Sequence, residues 1–295
     1  MLAREDRTEG DAPSPSTTQG LASTEEWRRF FSRFPAIVLV ANSDEVDLPA
    51  VRASQPAGAL YVFFNKVYKV LDQPCDGESL LVARSGTTGA NIVYRREVDS
   101  VLAFFPGQGF KGILNLASGS WEKLSPASDF KGAPIGHLEL TGSFADFYPE
   151  DHLPSSGFAL AVWLCELGLS ARIVLAGFTA RRSDRWKVFH IHDWTYEQVI
   201  QRVLARSGRL ALWDSAIVSN YAAVTRRFPD IGGADVSLAA AEVLSQRLEA
   251  SNMEIDKLIS ATRFGRSVDR FFRRLKPKTR KQKLAEKEAR EKSGG

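Results

Sequence analysis

The chain has 295 residues, of which 44% are hydrophobic and 25% charged, and this composition excludes a mainly disordered chain and a fibrous repeat. The net charge of +4 is unevenly distributed, because residues 263–292 hold thirteen Lys or Arg against four Asp or Glu and leave the rest of the chain mildly acidic. A basic tail on an acidic body is typical of an attachment device, whereas a basic body would indicate nucleic-acid binding.

Membrane spans and secretion are not expected. The longest apolar stretches, such as 34–41, have the length of a strand and fall short of the roughly 18 residues that a spanning helix needs. The first residues contain no apolar core of a signal peptide. Cys75 and Cys165 stand in unrelated contexts and predict neither a disulfide framework nor a metal cluster, so we expect a cytoplasmic protein.

The first half of the chain predicts disorder and then strands. Residues 1–24 are rich in Ser, Thr, Pro, Gly and acidic residues and predict a disordered segment. Ser23 and Glu26 then indicate the start of a helix. Short apolar runs that end in polar or turn residues predict strands buried on both faces. These runs are residues 36–41, 60–64, 79–83 and 101–105.

The second half of the chain continues this alternation of helices and strands. The predicted elements are a helix at 158–167 stopped by Gly168, a strand at 172–178, a strand end at 189–194, a helix at 195–205, a strand at 209–213 and helix from beyond Ser215 to about residue 275. The pattern predicts an α/β fold, namely a single Rossmann-like domain with a mostly parallel sheet flanked by helices. The predicted domains are a disordered segment at 1–24, the α/β domain at 25–262 and a basic helical or disordered tail at 263–295.

Asparagines at strand ends are the first candidate ligand-binding residues. Asn42 and Asn65 each end a buried strand, which is where open α/β sheets bind ligands. The amide group offers an acceptor and donors to a ribose, a base or a phosphate. Asparagine is also common in turns after strands, and for each residue alone a turn is the more frequent explanation.

The segment Ser155-Ser156-Gly157 stands where a loop becomes a helix. Unpaired N–H groups and the helix dipole favour a negative charge there, so the segment is a candidate phosphate cradle. A simple serine N-cap is the alternative. Neither a phosphate-binding loop with lysine nor a dinucleotide fingerprint is present, so ATP hydrolysis and NAD chemistry are not predicted.

Two histidines, His190 and His192, flank Ile191, and strand alternation places both on one face. His192 directly precedes a helix with Glu197 in its first turn, which makes it a candidate general base. A metal pair and two core histidines are the alternatives. A third metal ligand at suitable spacing and an Asp-x-Asp pair are both missing from the sequence, so we expect metal-independent chemistry.

Four segments in order resemble the sialyl motifs of the sialyltransferase superfamily. The run from Ile37 to Ser43 resembles the start of the large motif, with Ala41 where the motif has glycine, and Phe63-Phe64-Asn65 resembles its second half, with Phe63 in place of arginine. Pro154-Ser155-Ser156-Gly157-Phe158 resembles the small motif. The spacing of His192 and Glu197 matches the His-x4-Glu of the very small motif.

The resemblance implies an α/β enzyme that binds a CMP sugar and inverts its anomeric centre. It assigns the nucleotide to Asn42, Ser43, Asn65, Ser155, Ser156 and Gly157. It further implies that His192 deprotonates the acceptor hydroxyl, that His190 is a candidate phosphate contact and that Glu197 has a supporting role. CMP leaves as a phosphate monoester that hydrogen-bond donors can stabilise, so the resemblance implies no metal or other cofactor.

The resemblance also bears on source, sugar and partners. Animal members carry a membrane anchor and structural disulfides that this sequence lacks, so a cytoplasmic bacterial enzyme is expected. We favour Kdo (3-deoxy-D-manno-octulosonic acid) over sialic acid as the sugar, and a glycan or glycolipid of lipopolysaccharide or capsule synthesis as the acceptor. The basic tail predicts peripheral attachment to the anionic inner face of the inner membrane; the alternative is an ordinary solvated charged tail whose apolar residues pack on the body. An alternative of another class is a non-catalytic nucleotide-binding protein whose tail binds RNA, although no aromatic stacking platform accompanies that tail.

Overall fold

This computed structural model describes residues 16–84, 91–180, 191–213, 227–228 and 230–275, and only the backbone of residues 247, 250, 251, 259 and 261–275. The chain divides into two compact units, Met1–Ser215 and Ala216–Gly295. The sheet and the candidate site both belong to the first unit.

In the residues that the structure describes, the first unit is built on a sheet of seven parallel strands. The strands are β1 (Ala36–Val40), β2 (Leu60–Phe64), β3 (Ser79–Arg84), β4 (Phe110–Ala117), β5 (Ile135–Glu139), β6 (Arg172–Ala176) and β7 (Ala211–Trp213). Their order across the sheet is β5-β4-β3-β2-β1-β6-β7, and each neighbouring pair is parallel. In this register Leu39 of β1 lies between Val62 of β2 and Leu175 of β6. The predicted α/β fold with a parallel sheet is confirmed.

Helices cover both faces of this sheet. They are α1 (Thr24–Phe31), α2 (Leu48–Ala53), α3 (Val98–Leu102), α4 (Ser156–Glu166) and α5 (Trp194–Arg206), with 3₁₀ turns at Val67–Lys69 and Ala127–Phe130. Ile37 and Leu39 face a core shared with α1, α4 and α5, whereas Val38 and Val40 face a second core shared with α2 and α3. Because every residue of β1 is buried, the strand appears in the sequence as an unbroken apolar run.

The chain reverses its direction of travel across the sheet at β1. Strands β1 to β5 follow one another towards one edge, and the chain then returns to place β6 and β7 on the other side of β1. Such a reversal opens a crevice at the carboxyl ends of the two strands that border it, here β1 and β6. The topology therefore predicts a ligand site beyond Val40 and Ala176.

Residues 16–24 are ordered, which corrects the disorder predicted for 1–24. The backbone hydrogen bonds of this segment to the sheet are Thr18 N–H to Lys111 O (2.8 Å), Gly20 N–H to Ile135 O (2.8 Å) and His137 N–H to Leu21 O (2.6 Å). Leu21 is buried in the same core as Trp27. Contacts made by the backbone hold this segment, so its polar composition was misleading. Residues 1–15 lie outside the described residues.

The strand predicted at 101–105 is wrong. Helix α3 occupies Val98–Leu102, with Val98 and Val101 buried one turn apart, and the strand comes later as β4. Gly112 and Asn115 interrupt the apolar pattern of β4 and hid it from the sequence analysis. The glycine is required because a Cβ there would lie 2.2 Å from Thr18 Oγ1.

The second unit contains α6 (Gly233–Leu275), and its end agrees with the helix predicted to about residue 275. The domain boundary predicted after residue 262 falls inside this helix. Residues 214–226 and the tail from residue 276 lie outside the described residues. Among the helices of the described residues, none is long and apolar enough to cross a membrane.

Candidate functional site

A cavity of about 340 Å³ opens at the carboxyl edge of the sheet, where the topology predicts it. The ends of four adjacent strands, β3, β2, β1 and β6, form its floor, and the start of α4 and the first turns of α5 form its walls. This volume lies within the range of small-molecule sites. The polar side chains that line the cavity are Asn42, Ser43, Asn65, Arg84, Asn91, Glu122, Ser155, Ser156, Thr179, His192, Glu197, Gln198 and Gln201.

The site residues predicted from the sequence converge on this cavity, although they come from four separate segments. They are Asn42, Ser43, Asn65, Ser155, Ser156, Gly157, His192 and Glu197. His190 lies outside the described residues, so its role as a phosphate contact stays a prediction. The individual roles given to the other residues stay predictions as well.

His192 is half-buried in the bend that precedes α5, and its ring is held in one tautomer. Nδ1 lies 2.7 Å from the carbonyl oxygen of Leu153. A carbonyl oxygen only accepts, so Nδ1 carries the hydrogen and Nε2 keeps its lone pair. Burial lowers the pKa of His192 to about 4, and the charge of Arg84 acts in the same direction. His192 is therefore neutral at physiological pH, and Nε2 is free of a proton.

Glu197 ties α5 to the loop that starts α4. Its carboxylate is 1% exposed and accepts hydrogen bonds from the Tyr148 hydroxyl (2.9 Å), the Ser155 N–H (2.7 Å) and the Ser155 hydroxyl (2.7 Å). Burial raises the pKa of Glu197 to about 7, although these three donors act in the opposite direction. The Tyr148 hydroxyl also accepts from the N–H of Asp193, directly beside His192.

The hydroxyl of Ser155 is committed to contacts within the protein. It donates to Glu197 and accepts from the N–H of Phe158, as an N-cap residue of α4 does. Ser155 is therefore the N-cap residue of α4, which was the alternative interpretation of this segment. The N–H groups of Ser156 and Gly157, in the first turn of α4, are ones that a helix leaves without an intrahelical acceptor.

Close packing explains the glycines at the cavity wall. A Cβ on Gly157 would lie 2.3 Å from the ring of Phe178, which follows β6 and covers the start of α4. Gly177 has a φ of +78°, and a Cβ there would lie 2.2 Å from Val46 Cγ2. Both positions bring the end of β6 within contact distance of its neighbours, and larger residues would displace the cavity wall.

Asn42 and Asn65 are both 7% exposed, and they differ in how their amide groups are used. Asn42 Nδ2 donates to the carbonyl oxygen of Phe64 (2.8 Å), while its buried Oδ1 has no partner among the described residues. Asn65 adopts a left-handed φ of 40°, and its Oδ1 accepts from the N–H of Arg84 (3.2 Å). Asn65 therefore shapes the turn after β2, and Asn42 retains an unsatisfied acceptor.

The sequence analysis missed a buried ion pair at the floor of the cavity. Arg84, the last residue of β3, contacts Glu122 with a distance of 2.7 Å between Nε and Oε1, and the two side chains are 12% and 2% exposed. Arg84 is a polar residue at the end of a predicted strand, so the rule that selected Asn42 and Asn65 would also have found it. Glu122 lies in a turn after β4, and nothing in the local sequence marks it.

Two glutamines on α5 also escaped the sequence analysis. Gln201 is 3% exposed, and Gln198 Nε2 donates to Gln201 Oε1 (3.2 Å) and to the carbonyl oxygen of Phe178 (2.6 Å). Glu197 and Gln201 are four residues apart and share one face of α5, which is the signal that could have found them. Polar groups thus line the side of α5 that faces the cavity.

Within the described residues, no group of three or more His, Cys, Asp or Glu side chains is arranged to hold a metal ion. Metal-independent chemistry stays a prediction.

No protein-family model matches the chain, and no curated protein matches it. Two crystal structures of a mammalian sialyltransferase align with it at 14% identity and a TM-score of 0.32. The first, in complex with Gal-β-1,3-GalNAc-ortho-nitrophenol, is covered over 73% of its chain by 63% of this one. For the second structure the corresponding shares are 70% and 62%.

Proposed function

We propose that this chain is a metal-independent, inverting glycosyltransferase that moves a 2-keto sugar acid from its CMP donor to a hydroxyl group of a glycan or glycolipid. The observation that carries the proposal is the convergence of four separate sequence segments on one cavity at the reversal point of the sheet. Each segment alone has a simple structural explanation. Those separate explanations do not by themselves require all four segments to border the same cavity, whereas a shared ligand site does.

The reaction needs a base and a stabilised leaving group. His192 supplies the base, because its Nε2 carries a lone pair and its Nδ1–H is held by Leu153 O. The acceptor hydroxyl gives its proton to Nε2 while its oxygen bonds to the anomeric carbon. The bond from that carbon to the phosphate oxygen breaks, and CMP leaves with the electron pair.

The start of α4 receives the phosphate of the departing CMP. The N–H groups of Ser156 and Gly157 and the positive end of the helix dipole favour a dianionic phosphate at this point. The buried Oδ1 of Asn42 accepts from a hydroxyl or amino group of the nucleoside, which removes the cost of an unpaired acceptor. Ser43 and Asn65 line the same side of the cavity and complete the nucleotide site.

We favour Kdo as the transferred sugar and sialic acid as the alternative. Both are 2-keto sugar acids activated as CMP conjugates, and both react through an oxocarbenium-like transition state. The acceptor is then a glycan or glycolipid of bacterial lipopolysaccharide or capsule synthesis, and the enzyme works in the cytoplasm, at the inner face of the inner membrane. The basic residues from 263 to 292 give it affinity for that surface.

Mass spectrometry of donor turnover tests this function. The purified protein is incubated with CMP-Kdo or CMP-sialic acid, a mixture of glycan acceptors and EDTA. We expect release of CMP and a mass gain on an acceptor that equals one sugar residue, with CMP-Kdo preferred. CMP binding without turnover of either donor would favour the non-catalytic nucleotide-binding alternative, and a strict need for Mg²⁺ or Mn²⁺ would contradict the metal-independent mechanism.

A further inference from the structure

The side chain of Arg84 is held on every side by groups of the protein itself. Besides the two contacts with Glu122, Nη2 donates to Ser118 Oγ (2.8 Å) and Nη1 donates to the carbonyl oxygen of Pro154 (2.6 Å). The guanidinium group therefore makes four hydrogen bonds with its five N–H groups, and Glu122 neutralises its charge. An arginine used in this way is suited to fixing other parts of the protein and is poorly suited to binding an anionic ligand.

Glu122 is as firmly fixed as the arginine that it holds. Its Oε2 accepts from the N–H groups of Ser118 (2.9 Å) and Gly119 (2.9 Å), and its own N–H donates to Gly119 O (3.0 Å). The turn after β4 is thus folded around the carboxylate. The pair of Arg84 and Glu122 is a rigid support that joins the end of β3 to this turn.

The support acts on one short segment, Leu153 to Ser155, which we name the strap. Pro154 has no N–H, so its carbonyl is its one backbone hydrogen-bonding group, and Arg84 takes it. On one side of Pro154, Leu153 O accepts from His192 Nδ1 and Leu153 N–H donates to Ile191 O (2.8 Å). On the other side, Ser155 is bound to Glu197.

We propose that Arg84, held by Glu122, is a positioning residue that sets the orientation and the tautomer of His192 through the strap. This inference rests on the proposed role of His192 as the base. Hydrogen bonding of Arg84 to Pro154 fixes the direction of the Leu153 carbonyl in the adjacent peptide. That carbonyl in turn keeps the hydrogen on Nδ1 of His192 and directs Nε2 into the cavity.

The first test compares Arg84→Lys with the wild type in steady-state transfer assays. Lysine keeps the positive charge but has one ammonium group in place of the planar guanidinium with its five N–H donors. It therefore cannot hold Glu122, Ser118 and Pro154 together. We expect kcat per CMP-binding site, counted by calorimetry, to fall about 10- to 100-fold, because a displacement of a catalytic group by about 1 Å has effects of this size. The donor KM and the CMP Kd should stay within about threefold. Glu122→Gln should also lower kcat per CMP-binding site, because it weakens the hold on Arg84.

Lys111→Gln is the matched control. It breaks the ion pair of Lys111 with Glu78 (2.7 Å), in which the basic side chain is as buried as Arg84 and the carboxylate is more exposed than Glu122. This pair lies at the amino ends of β3 and β4, away from the cavity at their carboxyl ends. The melting temperature of Lys111→Gln should fall, while its kcat per binding site should not change. An unchanged kcat per site in Arg84→Lys, or an equal loss in Lys111→Gln, would overturn the positioning role.

A second readout is independent of any transferase activity. The chain has four histidines, so their ring ¹⁵N signals can be assigned in NMR spectra with the aid of His192→Asn. In the wild type His192 should show a protonated Nδ1 and an unprotonated Nε2, and Arg84→Lys should show a mixture of both tautomers. An unchanged tautomer in Arg84→Lys would refute the positioning role, even if the protein turns over no CMP sugar. A wild type that shows no turnover, together with the expected change of tautomer in Arg84→Lys, would refute only the proposed function.

Discussion

The base that we propose, His192, must hold one ring nitrogen free of protons at the pH at which it works, and its environment keeps the ring neutral mainly by burial. Burial disfavours the imidazolium and lowers the pKa to about 4, and the nearby positive charge of Arg84 adds to the effect. The Leu153 carbonyl and Glu122 act in the opposite direction, but they do not restore the ordinary pKa of 6.5. The residue is thus permanently neutral in the physiological range.

This pKa predicts the acid limb of the pH profile. In the proposed mechanism the working form of His192 is the unprotonated one, so protonation of this residue should lower kcat/KM as the pH drops through about 4. The measurement is initial-rate kinetics from acid to neutral pH, with each sample returned to pH 7 and assayed again to exclude unfolding. An acid limb with its midpoint near 6.5 that persists in Glu197→Gln, where the carboxyl group of pKa about 7 is absent, would contradict the described environment of His192.

Some residues that line this cavity could be predicted from the sequence, and others could not. Asn42 and Asn65 could be predicted because each follows a run buried on both faces, and such runs are visible without any structure. Glu122 could not be predicted, because its importance comes from Arg84, a partner 38 positions away in the sequence. Long-range pairing of this kind leaves no local pattern.

The carboxylate of Glu197 joins the start of α5 to the start of α4. Glu197 projects from the first turn of α5 and holds both the N–H and the hydroxyl of Ser155, the residue that caps α4. The start of α4, where we place the phosphate, therefore depends on a residue that lies forty-two positions further along the chain. This contact gives a physical reason for the two segments to occur together.

Glu197→Gln should loosen the start of α4. The amide has a donor where the carboxylate has an acceptor, so one of the donors on Tyr148 and Ser155 loses its partner in a buried place. We expect the free energy of unfolding in urea at pH 8 to fall by about 1–3 kcal/mol, together with weaker CMP binding in calorimetry. Glu150→Gln, at an exposed carboxylate, is the control and should change neither quantity. Unchanged CMP affinity in Glu197→Gln would separate this contact from the nucleotide site.

Strand continuity also shows where sequence patterns fail. Strands β1, β2, β3 and β6 appear in the sequence as uninterrupted apolar runs, whereas Gly112 and Asn115 break the pattern of β4. The glycine is present because the segment around Thr18 packs against it, and that segment itself has a composition typical of disorder. The glycine in β4 and the ordered segment around Thr18 are explained by their contact with each other, and the sequence shows neither the contact nor its consequence.

The whole molecule combines a mildly acidic body with a strongly basic end. Within residues 263–283 there are ten Lys or Arg and one acidic residue, Asp269. Each basic residue close to an anionic bilayer contributes on the order of 1 kcal/mol to binding, and salt weakens the effect. A glycolipid acceptor would give such affinity a purpose.

The full-length protein should sediment with vesicles that contain anionic lipid and should remain in solution with neutral vesicles. Exchange of Lys276, Lys278, Arg280, Lys281 and Lys283 for glutamine should move most of the protein to the supernatant, while CMP affinity stays unchanged. A rise in salt should release the wild type as well. Equal sedimentation of the two proteins with anionic vesicles would refute membrane attachment through this tail.

The central claim is that the cavity at the reversal point of the sheet is the active site and that His192 is its base. The most direct measurement is the rate of CMP release from the preferred CMP sugar, in the presence of acceptor, by the wild type and by His192→Asn at pH 7, with CMP affinity determined for both. Asparagine keeps a hydrogen-bond donor for Leu153 O but cannot take up a proton. The account predicts a loss of rate of about 10²- to 10⁴-fold with a CMP Kd within a few-fold of the wild type. Wild-type turnover by His192→Asn would contradict it.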